Sequence, residues 1–271
     1  MEKANILFIG AGRMAEAIVS GIAKSDRSYF NTITMANRSN KEKLMHLKDT
    51  YGIQMTTDWM KAVQKHDIIV LATPPKTHDE LLHMLTPHIS GQLVITVAAG
   101  IDPQYMEMRL PEETPVCWIM PNTAAQVGMS MSTYTCGQFV ESRHRPFIQA
   151  LLDAIGPAEE LTAGQVHDLT AVTGSAPAFI YYTVKALEEA AEAYDISGIQ
   201  ARKLVVQMLK GSVAMLEEGH DPQELMEQVA TPGGSTAEGL RVLETYGVDR
   251  ILKQAVEAVN DHARTNGKES G

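Results

Sequence analysis

A pair of glycines near the start of the chain limits what this sequence can fold into more than any other feature. Gly10-Ala11-Gly12-Arg13-Met14-Ala15 has the form GxGxxA, follows an apolar β-rich run and opens a helical pattern. In that setting the first glycine permits a tight strand-to-helix turn, and the second lets a pyrophosphate approach the main chain. The small third residue lets helix and strand pack closely. The anion would sit at the helix N-terminus, where the first amides have no intrahelical partner. A dinucleotide site built from Gly10, Ala11, Gly12, Arg13 and Met14 is therefore expected; a glycine turn without a ligand is the competing reading.

The pattern downstream supports that frame. Apolar β-rich runs at 6–9, 33–36, 68–72, 93–97 and 116–120, with a weaker one at 130–135, alternate with helical patterns at 14–23, 41–48, 59–64, 77–85 and 103–109. Such alternation signals βαβ units feeding a parallel sheet. Asp102-Pro103 supplies a capping residue and a proline at the first helical position. From Thr162 onward the strand signal disappears. Thr162, Ser197, Asp221 and Ser235 are each followed three positions later by Glu or Gln, which predicts four helix starts, and all but the Asp221 one are capping boxes. The stretches 178–193 and 201–217 carry apolar faces too wide for a helix packed on one side only, so burial against a second subunit is expected. The fold class expected is α/β: a doubly wound, mostly parallel dinucleotide-binding domain over residues 1–161, then an all-α domain over 162–271 for dimerisation and substrate binding. The polar tail 265–271 is expected to fray.

Composition excludes several function classes. A formal charge of −10 argues against a broad nucleic-acid surface, and no apolar run reaches the roughly 18 residues of a membrane helix. Met1-Glu2-Lys3-Ala4-Asn5 leads straight into an apolar run without the features of a secretory leader, so a cytoplasmic location is expected. Cys117 and Cys136 have neither metal-knuckle nor CxxC spacing and read as reduced thiols. Nine histidines show no metal-ligand spacing, so no metal is expected, and His78, His83, His88, His167 and His220 read as exposed or edge positions.

Two further constellations carry chemistry. An NAD site usually places a carboxylate near the end of the second strand, for the ribose hydroxyls. Here Asn37 stands there, followed by Arg38 and Ser39, with Lys41 close by. A guanidinium fork matches a 2′-phosphate, so NADP(H) is expected over NAD(H); a solvated basic turn would use the same residues. The second is Thr231-Pro232-Gly233-Gly234-Ser235-Thr236, ahead of a helix. Unpaired amides converging there would hold a carboxylate, with Thr231, Ser235 and Thr236 adding hydroxyls. A capping turn alone explains the spacing too. Gly174-Ser175-Ala176-Pro177-Ala178 allows a close backbone approach or a simple interhelical turn. No nucleophile elbow or acid pair appears, so the chemistry is expected to belong to a cofactor.

The stretch from Val229 through Thr236 and on to Glu244 resembles the signature of the pyrroline-5-carboxylate reductase family. Met120-Pro121-Asn122-Thr123, Ala98-Ala99-Gly100 and the segment from Asp168 to Ala178 follow the family's order and extend the resemblance over nearly the whole chain. The resemblance implies a Rossmann domain joined to a helical domain that interlocks with a partner's, as a homodimer or a decamer. It also implies reduction of 1-pyrroline-5-carboxylate to L-proline with a nicotinamide cofactor, the last step of proline biosynthesis. By position it places the dinucleotide on Gly10 to Met14, Asn37, Arg38, Ser39 and Ala72, and the nicotinamide near Ala98, Ala99, Gly100 and Asn122. It places the substrate carboxylate and ring nitrogen on Thr231, Gly233, Gly234 and Thr236; Ser235 is a further candidate for the substrate, and Thr236 is expected to hydrogen-bond the ring nitrogen as the catalytic residue. Three positions depart from the family pattern: Pro74 stands for a lysine, Ala124 for a proline and Ala176 for a glycine. Those departures keep open an NADP-binding regulatory or scaffolding paralogue. A β-hydroxyacid dehydrogenase, with Lys185 as its acid/base group, is the third alternative.

Overall fold

The computed structural model describes residues 3–24, 29–38 and 40–269. The chain forms two compact units, Met1–Gly174 with Asn260–Gly271, and Ser175–Val259.

In the first unit the order is β1 (Ala4–Ile9), α1 (Arg13–Lys24), β2 (Phe30–Ala36), α2 (Lys41–Tyr51), β3 (Gln54–Thr56), α3 (Trp59–Val63), β4 (Ile68–Leu71), α4 (His78–Leu85) and β5 (Leu93–Thr96). It continues with α5 (Pro103–Glu107), β6 (Val116–Met120), β7 (Ser132–Cys136), α6 (Arg145–Asp153), β8 (Ala158–Glu160) and α7 (Ala163–Thr170). The strands make one sheet in the order β3-β2-β1-β4-β5-β6-β7-β8. Among the described residues only β6 and β7 pair antiparallel.

Parallel strands covered on both faces read as unbroken apolar runs, which is why Ile68–Leu71 and Val116–Met120 are buried at every position. Alternate side chains feed two cores. Ile6, Phe8, Val70 and Ile119 pack with Ile18 and Ile22 of α1 and Leu151 and Leu152 of α6. Leu7, Ile9, Leu71 and Trp118 face the other way, with Leu82 and Leu85 of α4, Met106 of α5 and Val166 of α7. Burying each such side chain contributes about 1.5–3 kcal/mol relative to exposure. The order reverses at β1, which sends its neighbours β2 and β4 to opposite sides. In open sheets of this kind ligands bind in the crevice beyond the carboxyl ends of the strands at that point.

Three elements lie where the sequence pattern placed none. β3 and β8 are short edge strands whose residues, Gln54-Met55-Thr56 and Ala158-Glu159-Glu160, are half or fully exposed and carry no apolar alternation. Helix α6 buries only Ile148, Leu151 and Leu152. The weak strand expected at 130–135 forms as Ser132–Cys136.

The second unit holds α8 (Ala176–Glu192), α9 (Gly198–Glu217), α10 (Pro222–Val229), α11 (Ser235–Thr245) and most of α12 (Val248–Glu269). The Thr162 and Ser197 capping boxes both form, and Asp221 accepts from the amides of Gln223 and Glu224. No residue of α8, α10 or α11 is buried in the single chain. Ile180, Tyr181, Tyr182, Leu204 and Met208 are all exposed, as the wide apolar faces led one to expect, and so is Leu252 of α12. The tail expected to fray after residue 264 instead continues as helix to Glu269. Within the first unit, Asn260 Nδ2 donates to the Asp168 carbonyl at 3.0 Å and Arg264 pairs with the Asp168 carboxylate at 2.7 Å.

Candidate functional site

The glycine turn sits at the carboxyl ends of β1, β2 and β4. Gly10 donates to the Ala36 carbonyl at 2.9 Å, and Ala72 donates to the Ile9 carbonyl at 2.9 Å. The two glycines serve different purposes. Gly10 has φ +112°, and a Cβ there would lie 2.5 Å from the Ala72 carbonyl oxygen, so the fold itself demands glycine. At Gly12 a Cβ would meet only that oxygen, at 3.9 Å, an ordinary contact. Packing does not explain a bare Cα at Gly12. Ala15 is fully buried, in keeping with close helix-to-strand packing, and Ala11 is also buried.

Past β2, the Asn37 side chain accepts from the Asn40 amide at 3.1 Å, and Asn40 in turn caps α2 through the Lys43 amide. Lys43 pairs with Glu16 at 3.1 Å, tying α2 to α1. Arg38 is exposed and has no ion pair among the described residues. Ser39 lies outside the described residues. The guanidinium at the end of β2 is thus available to an anion, and Asn37 presents no carboxylate to repel one.

The loops after β4 and β5 are joined beneath the crevice by a buried relay. The Ala98 amide donates to Thr96 Oγ1 at 3.2 Å, Thr96 Oγ1 lies 2.9 Å from His78 Nε2, and His78 Nδ1 lies 3.2 Å from the Pro74 carbonyl. One neutral tautomer satisfies every group, with Nδ1–H donating to Pro74 and Nε2 accepting from the Thr96 hydroxyl. Burial holds the imidazole below its usual pKa, opposed only by the Pro74 bond. His78 is thus fully buried, and its reading as an exposed or edge histidine is corrected. Its partner Thr96 lies eighteen residues away on a neighbouring strand, a contact the sequence does not signal.

Ala98, Ala99 and Gly100 form the turn after β5, with Gly100 at φ +78° and the Ala98 carbonyl accepting from Trp118 Nε1 at 2.8 Å. Asp102 caps α5 through the Tyr105 amide at 2.8 Å and meets His167 Nε2 at 3.2 Å. The His167 contact, more than the Tyr105 amide, holds the Asp102 carboxyl below the ordinary range. His167 also packs its ring on Trp118, with centroids 4.6 Å apart.

Asn122 is committed on every polar atom. Its amide donates to Ser130 Oγ, its Oδ1 accepts from Ala124, and its Nδ2 donates to the Thr173 carbonyl at 2.9 Å. Thr173 needs that donor because Pro177, four residues on, has no N–H, and the helix widens into a π turn over Ala171–Ser175. Asn122 therefore braces the loop after β6.

In the second unit, Thr231 to Gly234 form a β-turn closed by Gly234 N–H to the Thr231 carbonyl at 2.9 Å. Pro232 holds the first corner, and Gly233 the second at φ +74°, as a type II turn requires. A Cβ on Gly234 would lie 2.8 Å from Thr231 Oγ1. Gly234, not Ser235, is the N-cap of α11, so the capping box expected at Ser235 does not form. Glu238 pairs instead with Arg241 at 2.9 Å. The consequence is chemical. With glycine at the cap no side chain occupies the helix start, and the Ser235 and Thr236 amides have no protein acceptor among the described residues. Thr231, Gly233, Ser235 and Thr236 are all exposed in the single chain. Lys185 is 72% exposed and pairs with Glu189 at 3.6 Å.

Two family models match the chain, one in each half. Residues 163–266 match the family described as pyrroline-5-carboxylate reductase dimerisation, and residues 5–100 match NADP oxidoreductase coenzyme F420-dependent. The chain is 32% identical to pyrroline-5-carboxylate reductase 1 of Bacillus subtilis, over 99% of this chain and 90% of that one. It is 33% identical to the pyrroline-5-carboxylate reductase of Corynebacterium melassecola, over 97% and 98% of the two chains. Among solved structures, the pyrroline carboxylate reductase of Plasmodium falciparum with NADP bound superposes with a TM-score of 0.88 at 27% identity, covering 98% of this chain and 99% of that one.

Proposed function

The chain belongs to the pyrroline-5-carboxylate reductase family, and from that premise we propose that it reduces 1-pyrroline-5-carboxylate to L-proline with NADPH, the last step of proline biosynthesis. When bound, the reduced nicotinamide supplies the hydride that such a reduction requires. Gly10, Ala11, Gly12, Arg13 and Met14 would hold the pyrophosphate, and Arg38 with Asn37 and Ser39 the 2′-phosphate, which favours NADPH over NADH. Ala72 and the Ala98 to Gly100 turn would line the nicotinamide side, on loops held by His78, Thr96 and Asn122.

The observation that carries the substrate assignment is the uncapped start of α11. Two amides at the positive end of the helix, beside the Thr231 and Ser235 hydroxyls, suit a single carboxylate. The substrate is a cyclic imine that is electrophilic once protonated, so no enzymic nucleophile is needed and orientation supplies much of the rate. Thr231, Gly233, Gly234 and Ser235 would grip the carboxylate while Thr236 hydrogen-bonds the ring nitrogen and holds its proton. In this division residues 1–161 bind the dinucleotide and 162–271 dimerise and bind substrate.

Self-association follows from the matched dimerisation family. The exposed apolar faces of α8 and α9 suit a homodimer, and a decamer would be an assembly of such dimers. No helix among the described residues is long and apolar enough to cross a membrane. We place the enzyme in the cytoplasm, and the −10 charge argues against a broad nucleic-acid surface. The test is turnover of purified protein with pyrroline-5-carboxylate and other cyclic imines under NADPH and NADH in parallel. The account expects NADPH oxidation with the five-membered imino acid. NADPH bound but never oxidised would favour the scaffolding alternative that Pro74 and Ala176 keep open.

A further inference from the structure

Cys117 and Cys136 are nineteen residues apart in sequence, yet they are direct partners across the antiparallel β6–β7 pair. Gly137 N–H donates to the Val116 carbonyl at 2.8 Å, so the adjacent pair, Cys117 with Cys136, is of the non-hydrogen-bonded kind. In such pairs the Cα atoms lie about 4.5 Å apart, within the range a disulfide spans. The two sulfurs are 3.9 Å apart and both are free thiols.

Their surroundings differ. Cys117 is fully buried in the core. Cys136 is half-buried and lines an open cavity of about 300 Å³ with Tyr134, Ser142, Arg145, Ile148 and Gln149. Arg145 forms a two-pronged pair with Glu160 at 2.8 and 3.1 Å on the same side. One sulfur is thus reachable by a small oxidant beside hydrogen-bond donors, and the other waits behind it.

We propose that Cys136 is a peroxide-reactive thiol and that Cys117 resolves its oxidised form into a disulfide joining β6 to β7. The Cys136 thiolate attacks one oxygen of hydrogen peroxide, the O–O bond breaks, and hydroxide leaves, giving a sulfenic acid. The Cys117 sulfur then attacks Cys136 Sγ, the S–O bond breaks, and water departs with the Cys117 proton. Overall two thiols lose two electrons and two protons while one peroxide becomes two waters. The division of roles agrees with the acidities. The hydrogen bond shared with Cys117, with help from the Arg145 charge, lowers the Cys136 thiol against the opposing effects of burial and Glu160. Burial pushes Cys117 up, so it is the poorer first nucleophile.

The test uses the full-length folded protein, treated with hydrogen peroxide, alkylated in denaturant and mapped by mass spectrometry. The expected product is an intrachain cross-link of the Cys117 and Cys136 peptides that dithiothreitol reverses. In Cys117→Ser, dimedone should trap a sulfenic acid on Cys136. In Cys136→Ser, Cys117 should stay fully alkylatable after peroxide. The proposal is overturned if wild-type protein keeps both thiols alkylatable after peroxide, if bridges form only between chains, or if dimedone labels Cys117 rather than Cys136.

Discussion

Alanine substitution at the two glycines of the β1–α1 turn separates folding from binding. At Gly10, alanine would keep φ near +112°, which costs about 1–3 kcal/mol for a residue with a Cβ. Its methyl would also meet the Ala72 carbonyl oxygen at 2.5 Å, a backbone atom that cannot swing aside, adding about 1–3 kcal/mol of overpacking. Gly10→Ala should therefore lose roughly 2–6 kcal/mol of stability. At Gly12 the nearest atom is 3.9 Å away and φ is not positive, so stability should change by no more than about 0.5 kcal/mol. If a pyrophosphate must approach that Cα, however, the same methyl costs about 1–3 kcal/mol of affinity. That is roughly a 5- to 150-fold rise in the dissociation constant for NADPH. Urea unfolding followed by the fluorescence of the buried Trp118 reads the first quantity, and NADPH titration reads the second. The reasoning fails if Gly12→Ala binds NADPH like the parent, or if it is destabilised as much as Gly10→Ala.

Three further outcomes follow from the geometry. Arg38→Ala should raise the Michaelis constant for NADPH about 10-fold or more while leaving that for NADH nearly unchanged, since a charge-assisted hydrogen bond is worth about 1.5–3 kcal/mol; equal effects on both would remove Arg38 from 2′-phosphate recognition. Thr236→Ala should cut turnover about 100-fold, as loss of a positioned proton-holding group does, with little change in NADPH affinity, and unchanged turnover would remove Thr236 from the mechanism. Burial lowers His78 below its ordinary 6.5, so below that pH the unfolded chain takes up a proton that the folded chain refuses. Stability should be full above about pH 6.5 and fall by up to ~1.4 kcal/mol per pH unit beneath it, until the folded-state pKa is reached. His144, lowered first by burial and then by Arg143, adds a decline of the same sign. His78→Gln should flatten the slope, and an unchanged slope in urea titrations between pH 7 and about 5 would refute the assignment.

The elements most legible in the sequence are those whose physics is local or whose burial is complete. Val116–Met120 reads as a strand because both faces are covered, and Asp102, Thr162 and Ser197 announce helix starts through bonds that span three residues. Edge strands β3 and β8 give no such signal, because a strand that is exposed and paired on one side needs no apolar pattern. The β1–α1 turn was legible in its shape, and its demand for glycine at Gly10 is what the fold displays. The Thr231–Thr236 segment was legible as a motif but not in its mechanics: Ser235 looks like a cap, yet Glu238 pairs with Arg241 and the cap falls to Gly234. The His78–Thr96 relay and the Cys117–Cys136 pair were invisible, since the first is created by helix α4 meeting β5 and the second by β6 meeting β7, not by any spacing along the chain.

The most direct measurement uses NADPH carrying deuterium at the transferable position of the nicotinamide, with unlabelled pyrroline-5-carboxylate and purified protein. The account predicts proline bearing one deuterium on the carbon that was double-bonded to nitrogen, in amounts matching the NADPH consumed. Unlabelled proline, or NADPH consumed without proline, would contradict it.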